Sequence, residues 1–433
     1  MEVWRIRGGK RLEGECTVQG SKNASLPILA ASLLCPGTVE LRRVPRLRDV
    51  DAALQILRHL GCRAEQRGDR VYINASGLSQ CSIPHALMEQ MRSSVIFMGA
   101  LLARCGEAGL SLPGGCQLGK RPIDLHLAAL RTLGADIEEQ DGEIRCRPAK
   151  LHGGTIQLPF PSVGATENAM LAACAARGET LIRGAAREPE IQALQQALRT
   201  MGAEITGAGT DTVRISGFHP KSHVCIRIPP DRIAAATLAC ACAGTGGKIC
   251  LKGTDPQQFS TVLYFLNQAG CDIITQNDRV TVCSDGKLRA VGQIATAPYP
   301  GFPTDAQPVL MAALLKAEGE SVFTENIFES RYRQVPQLRK LGARIQVSGR
   351  EARVQGVSQL HGALLDATDL RGGAAMILAG LMAEGETRVR DEGHVTRGYE
   401  NFDGCLRTLG ADLLLTHEGE KHGLSVQISQ AIR

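Results

Sequence analysis

Six small-residue segments of this chain open with polar and charged residues that could do chemistry. They read GSKNASLP, EQMRSSVIF, PSVGATENA, PPDRIAAAT, FPTDAQPVL and TDLRGGAAM. Each precedes an apolar run of helical length, so each is predicted to be a helix start. A helix start leaves backbone N–H groups unpaired and carries partial positive charge, which suits an anion. Asp231 and Asp369 could equally serve there as ordinary N-caps. The cations Lys22, Arg92 and Arg371 have no such explanation, because the dipole disfavours positive charge in a first turn. A bound anion would compensate them.

The segment LPGGCQLGKRPIDLH is the second candidate. Pro113, Gly114 and Gly115 make a flexible turn before Cys116, and Lys120 and Arg121 follow. A thiol beside cations in a glycine loop should have a lowered pKa and open access, fitting it for proton donation or nucleophilic attack. Taken alone, an isolated cysteine would read better as a free surface thiol. The downstream cation pair favours function.

The elements that must position these groups repeat along the chain. LRHLGCRAE, LRTLGADIE, LRTMGAEIT, LNQAGCDII, LRKLGARIQ and LRTLGADLL place glycines at 61, 134, 202, 270, 342 and 410, always 68 to 73 residues apart. A glycine directly after a leucine-rich helix is a left-handed stop, and the alternation beyond it predicts a strand. Halfway between, an Ala/Leu-rich helix runs into a second strand. Each unit therefore reads strand, buried small-residue helix, strand, outer amphipathic helix, strand. Six units make two domains of three, with a crossover near Pro229–Pro230 and a second near the N-terminus. An α/β solenoid is the less suitable alternative, since the period is long and the strands irregular.

Composition sets limits. The chain has 433 residues, 43% hydrophobic and 21% charged, with 3% aromatics and a net charge of +5. Two domains of roughly 200 residues follow from length. The mild positive balance suits small polyanions and lacks the dense basic block of a nucleic-acid binder. No apolar run reaches the roughly 20 residues of a membrane span, and no leader pattern is seen. The 15 cysteines include no Cys-x-x-Cys pair. They are expected to be mostly buried and reduced rather than a disulfide framework, which points to the cytoplasm. No His cluster has metal-ligand spacing; His126 and His394 read as hydrogen-bonding supports of nearby motifs.

Taken together, GSKNASLPIL, SLPGGCQLGKRPIDLH, SVGAT, AAREPEI, PPDRI, FPTDAQ, FESRY, TDLRGG and RGYE resemble the UDP-N-acetylglucosamine 1-carboxyvinyltransferases of the enolpyruvyl transferase family, over nearly the whole chain. The resemblance implies an inside-out α/β barrel of two similar domains, built from six βαβαβ-type units. The domains would be 22–229, and 1–21 joined to 230–433, with the active site in the cleft between them. It implies the substrates phosphoenolpyruvate and UDP-N-acetylglucosamine, and no cofactor, metal, nucleic acid, membrane or obligate protein partner. The reaction would open peptidoglycan synthesis.

Roles are carried over by the same resemblance. Lys22, Arg121 and Arg397 would hold the phosphate. Asn23 would hydrogen-bond the reacting centre, with a local cap as its alternative role. Arg92, Arg331 and Arg371 would complete the basic cleft toward the carboxylate or the nucleotide. Cys116 would be the general acid, able to carry a covalent phosphoenolpyruvate adduct and to be alkylated by the epoxide fosfomycin. Asp305 would receive or position the sugar hydroxyl. Arg121, Pro122, Ile123, Asp124 and Leu125, with Ser162, Val163 and Gly164, would bind the nucleotide sugar, walled by Ile327 and Phe328. Some relatives carry lysine where this chain has Phe160, so one cationic contact to the diphosphate would be missing. The alternatives are transfer to shikimate 3-phosphate, a non-catalytic UDP-sugar sensor and an RNA-terminal phosphate cyclase. The PGGC loop and RPIDL run favour the UDP-sugar acceptor. The complete set Lys22, Cys116, Asp305 and Arg397 speaks against a sensor. No Walker loop or aromatic RNA platform supports the cyclase.

Overall fold

The computed structural model describes residues 1–111, 123–148 and 150–417, with Arg92 given by its backbone. Six four-stranded sheets share one strand order. In the sheet of Leu12–Thr17, Gly247–Lys252, Arg279–Ser284 and Asp272–Gln276, the first pair is parallel and the next two pairs are antiparallel. The remaining five follow the same rule, as in Ser82–Ile83, Ala108–Ser111, Glu143–Arg147 and Asp136–Gln140. Each sheet therefore holds one strand more than the sequence pattern gives. In four units the extra strand closes a tight hairpin. Gly68, Asp141–Gly142, Asn277 and Gly349 stand at those turns with φ of 64°, 51° and 78°, 49° and 57°, the left-handed values that such turns demand.

The repeated glycines behave as the sequence predicts. Gly61, Gly134, Gly202, Gly270, Gly342 and Gly410 have φ between 92° and 115°, stopping six outer helices and aiming the chain into a strand. The inner helices Lys22–Ala31, Phe97–Cys105, Val163–Ala173, Arg232–Thr245, Gln307–Ala313 and Leu370–Met382 are almost wholly buried. Their small residues permit close approach. A Cβ on Gly99 would strike the Asn168 carbonyl, and one on Gly244 would lie 2.5 Å from Met382 Sδ. Helices crossing this closely exclude larger side chains and set the Ala/Gly-rich composition.

Two apolar cores result. One runs from Ala24 to Ile228, and the other joins Trp4–Val18 to Ala234–Leu413. The N-terminal strands Glu2–Arg7 and Leu12–Thr17 complete sheets of the second core. Between the two lobes, the stretches near 19–21 and 229–231 run side by side. Ser21 N donates to Pro229 O at 2.8 Å and Asp231 N to Gln19 O at 3.0 Å.

The cysteines differ from the sequence expectation in one respect. Cys16 and Cys405 form a disulfide with Cα atoms 6.5 Å apart, because the strand Leu12–Thr17 lies beside the helix Phe402–Thr408 although 389 positions separate the two residues. Among the free thiols described, Cys35, Cys62, Cys146, Cys174, Cys240, Cys242 and Cys271 are buried and Cys225 is exposed. Among the described residues, no helix is long and apolar enough to cross a membrane.

Candidate active site

In the second lobe the segment FPTDAQ forms a short turn, Thr304–Ala306, leading into the inner helix Gln307–Ala313. The Asp305 carboxylate there faces two arginines. Arg331 Nη2 donates to Oδ1 at 2.9 Å, and Arg371 donates to Oδ2 from Nη2 at 3.1 Å and from Nε at 3.3 Å. The guanidiniums expose 2% and 3% of their side-chain surface, whereas Asp305 keeps 30% open. Burial alone would raise the Asp305 pKa, but Arg371, Arg331 and Lys22 together hold it well below the usual carboxylate range. Arg331 is fixed further by donating to Thr304 O at 2.8 and 3.1 Å. Arg371 lies over the Tyr399 ring, 5.2 Å from its centroid. Burial opposes its charge, yet Tyr399, Asp305 and Asp231 raise its pKa above the ordinary value. Its Nη1 is buried with no hydrogen-bond partner among the described residues, a donor suited to an anion.

Of the first-turn cations, Lys22 and Arg371 are compensated by the carboxylates of Asp49 and Asp305. Asp369 caps its own helix, accepting from Arg371 N and Gly372 N at 3.1 and 3.0 Å. Asp231 caps its helix through Ile233 N and Ala234 N, both at 2.9 Å, and also accepts Lys22 N from the first lobe at 3.1 Å. Both aspartates therefore take the capping role. Lys22 Nζ meets Asp49 Oδ2 at 2.7 Å, and Arg397 Nε meets Asp49 Oδ1 at 2.8 Å. Lys22 and Arg397, 375 positions apart in sequence, are thus brought to one carboxylate. Asn23 follows Lys22 in the same turn, partly exposed.

On the first lobe, Ile123 precedes the helix Asp124–Thr132 and Leu125 packs against the core. Ser162 caps the helix Val163–Ala173 by accepting from Ala165 N at 3.4 Å. His126 draws the two helix starts together. Its Nδ1 pairs with Asn168 Nδ2 at 2.7 Å, and its ring lies 2.8 Å from where a Gly164 Cβ would stand. Asn168 Oδ1 also accepts from Gly99 N at 2.7 Å. Burial lowers the His126 pKa to about 4, so the ring is a neutral support. In the second lobe, Glu325 Oε1 accepts from Ile327 N and Phe328 N at 2.8 and 3.0 Å, while its Oε2 accepts from Thr304 Oγ1 at 3.0 Å. This ties Ile327 and Phe328 to the Asp305 turn.

Asp49, Glu325 and the inter-lobe group at Arg232 were not singled out in the sequence. Arg232 pairs with Glu190 at 3.0 and 3.2 Å, and Tyr299 N donates to Glu188 Oε1 at 3.2 Å. Glu188, Glu190 and Arg232 lie inside AAREPEI and PPDRI, a usable signal; Asp49 and Glu325 had none beyond being acidic residues near basic motifs. Of the residues expected at the site, Cys116, Arg121 and Pro122 lie outside the described residues, as does the Arg92 side chain. Phe160 is exposed at 44%, with no cation of its own to offer a diphosphate.

Comparison with known proteins agrees with this geometry. Residues 6–406 match the family described as EPSP synthase (3-phosphoshikimate 1-carboxyvinyltransferase). A protein of Caldanaerobacter subterraneus named UDP-N-acetylglucosamine 1-carboxyvinyltransferase 2 is 46% identical over 96% of this chain and 99% of its own length. The UDP-N-acetylglucosamine 1-carboxyvinyltransferase of Zymomonas mobilis is 47% identical over 95% of this chain and 99% of its own. Among solved structures, the enolpyruvyl transferase NikO from Streptomyces tendae superposes with a TM-score of 0.85 at 27% identity, covering 96% of this chain and 99% of that one. By sequence and by fold, the chain belongs to the enolpyruvyl transferase family.

Proposed function

We propose that the chain transfers the enolpyruvyl group of phosphoenolpyruvate to the 3-hydroxyl of UDP-N-acetylglucosamine and releases phosphate, the first committed step toward peptidoglycan precursors. One observation carries the choice of acceptor: identity of 46% and 47%, almost end to end, to proteins named for that reaction. The site lies in the cleft between 22–229 and the rest of the chain, and the reaction is cytoplasmic.

The chemistry is an addition followed by an elimination. Cys116 gives a proton to the enol methylene, making the adjacent carbon electrophilic. The sugar oxygen attacks that carbon as its proton passes by way of Asp305 to the phosphate, forming a tetrahedral intermediate. Loss of a methyl proton to the Cys116 thiolate then restores the double bond as the C–O bond to phosphate breaks and hydrogen phosphate leaves. Lys22, Arg121 and Arg397 hold the phosphate, and Arg371 Nη1, without a hydrogen-bond partner among the described residues, is a donor for the substrate carboxylate. Fixed cations stabilise developing charge without reorganising, which is where much of the rate arises. With its pKa held so low, Asp305 is a weak base and contributes mainly by aligning the hydroxyl. The nucleotide sugar occupies Ile123, Asp124, Leu125, Ser162, Val163 and Gly164, facing Ile327 and Phe328.

The test is phosphate release from phosphoenolpyruvate with each acceptor in turn. Release with UDP-N-acetylglucosamine supports the proposal; release only with shikimate 3-phosphate overturns it.

A further inference from the structure

Asp49 lies in the first turn of the outer helix Arg48–His59, within a segment to which the sequence assigns no function. Its side chain exposes 2% of its surface, and both oxygens are used, one by Lys22 of the first lobe and one by Arg397 of the second. Burial alone would raise its pKa, but Lys22 and Arg397 lower it, so it stays ionised between them. The surrounding contacts hold the same alignment. Neighbouring Arg48 donates to Glu392 O at 3.3 Å and to Glu2 Oε1 at 3.0 Å, both in the second lobe. Its guanidinium fills the space a Cβ on Gly393 would need. Asp391 accepts from His394 N and Val395 N at 2.7 and 3.1 Å, bracing the turn that carries Arg397.

We propose that Asp49 is a positioning residue for enolpyruvyl transfer, holding Lys22 and Arg397 across the cleft at a separation that fits one phosphate. The inference rests on the reaction proposed above. An ammonium and a guanidinium this close repel each other unless a fixed anion lies between them. Asp49 supplies that anion and leaves the trio with a net charge of +1, still attractive to phosphate. It also leaves their donors free for substrate. Asp49 takes one of the three ammonium N–H groups and, of Arg397, the Nε, so that among the described residues both Nη groups remain available as a fork. A structural ion pair would fix the fold alone; this arrangement fixes the spacing of two groups that must grip one anion.

The experiment compares wild type, Asp49→Asn, Asp49→Glu and the exposed neighbour control Asp51→Asn by steady-state phosphate release and by thermal melting. Asp49→Asn is expected to lower kcat/KM for phosphoenolpyruvate by about 30-fold per folded molecule, equivalent to ~2 kcal/mol. KM for UDP-N-acetylglucosamine should stay within about 3-fold, and product inhibition by inorganic phosphate should weaken. Asp49→Glu, displaced by one methylene but still charged, should fall between, at about 5-fold. If Asp49→Asn does not fold, the Glu variant decides by the same split. A melting temperature that falls while kcat/KM for phosphoenolpyruvate stays at the wild-type value would overturn the inference, as would equal losses toward both substrates. Failure of wild type itself to release phosphate would instead reject the underlying reaction, a distinguishable result.

Discussion

Replacing Asp305 by alanine strips the shared counterion from two buried guanidiniums. Arg331 and Arg371 expose only 2% and 3% of their side chains, and Asp305 makes three of the contacts that hold them. Leaving a buried charge unpaired costs about 3–5 kcal/mol. Since 30% of the Asp305 side chain is open, solvent screens part of the interaction, and ~2 kcal/mol is the appropriate scale. Arg331 keeps its bonds to Thr304 O, which limits the loss on that side. For a lobe of roughly 200 residues, ~2 kcal/mol lowers the melting temperature by about 4–8 °C. Calorimetry near neutral pH reads this directly. The sign with pH follows from the depressed folded pKa. The stabilisation is fully present above the ordinary carboxylate pKa and is lost as pH falls through the lower folded value, so the difference between wild type and Asp305→Ala should shrink in acid. Turnover should fall by about 100-fold as the hydroxyl loses its partner. Asp305→Asn, which keeps an acceptor oxygen, should melt higher than the alanine variant. A melting temperature within about 1 °C of wild type would refute the claim that this carboxylate is the common anchor of both arginines.

Other substitutions probe separate parts of the fold and the mechanism. His126, with its folded pKa near 4 against an ordinary 6.5, is neutral in the fold, so stability should fall by about 1.4 kcal/mol per pH unit on acidification between those values; melting curves at pH 5 and 7 should show a smaller acid loss in His126→Gln. Gly99→Ala places a methyl against the Asn168 carbonyl and should cost about 1–3 kcal/mol in denaturant unfolding. Cys116→Asp should retain turnover and lose sensitivity to fosfomycin, while Cys116→Ser should be nearly inactive; full activity in the serine variant would remove the thiol from the mechanism.

Fold periodicity was legible because its signals are local. The six glycines report one backbone geometry, and each one stands at the left-handed φ its position after a helix requires. The hairpin strands were less visible, although Asp141–Gly142 and Asn277–Asp278 are turn signals lying between alternating segments. Lys22 and Arg371 stood out because a cation in a helix's first turn needs a counter-charge, whereas Arg397, which alone reads as an exposed salt bridge, and Asp305 entered only through the motifs RGYE and FPTDAQ. Asp49 and Glu325 were not. Asp49 sits among the charges of RLRDVDAAL and looks like any residue of a solvated helix end; only the meeting of two lobes buries it. The disulfide escaped for the same reason, since its cysteines meet only when the N-terminal strand packs against the distant helix Phe402–Thr408. Long-range pairings of this kind carry no spacing rule in the sequence.

Cations from both lobes are expected to converge on one phosphate, and a crystal structure of the protein with phosphoenolpyruvate and UDP-N-acetylglucosamine would reveal whether they do. Phosphate oxygens should then lie within about 3 Å of Lys22 Nζ and the Arg397 guanidinium, with Asp305 against the sugar 3-hydroxyl. A phosphate bound away from Lys22 and Arg397, or a sugar hydroxyl remote from Asp305, would contradict this expectation.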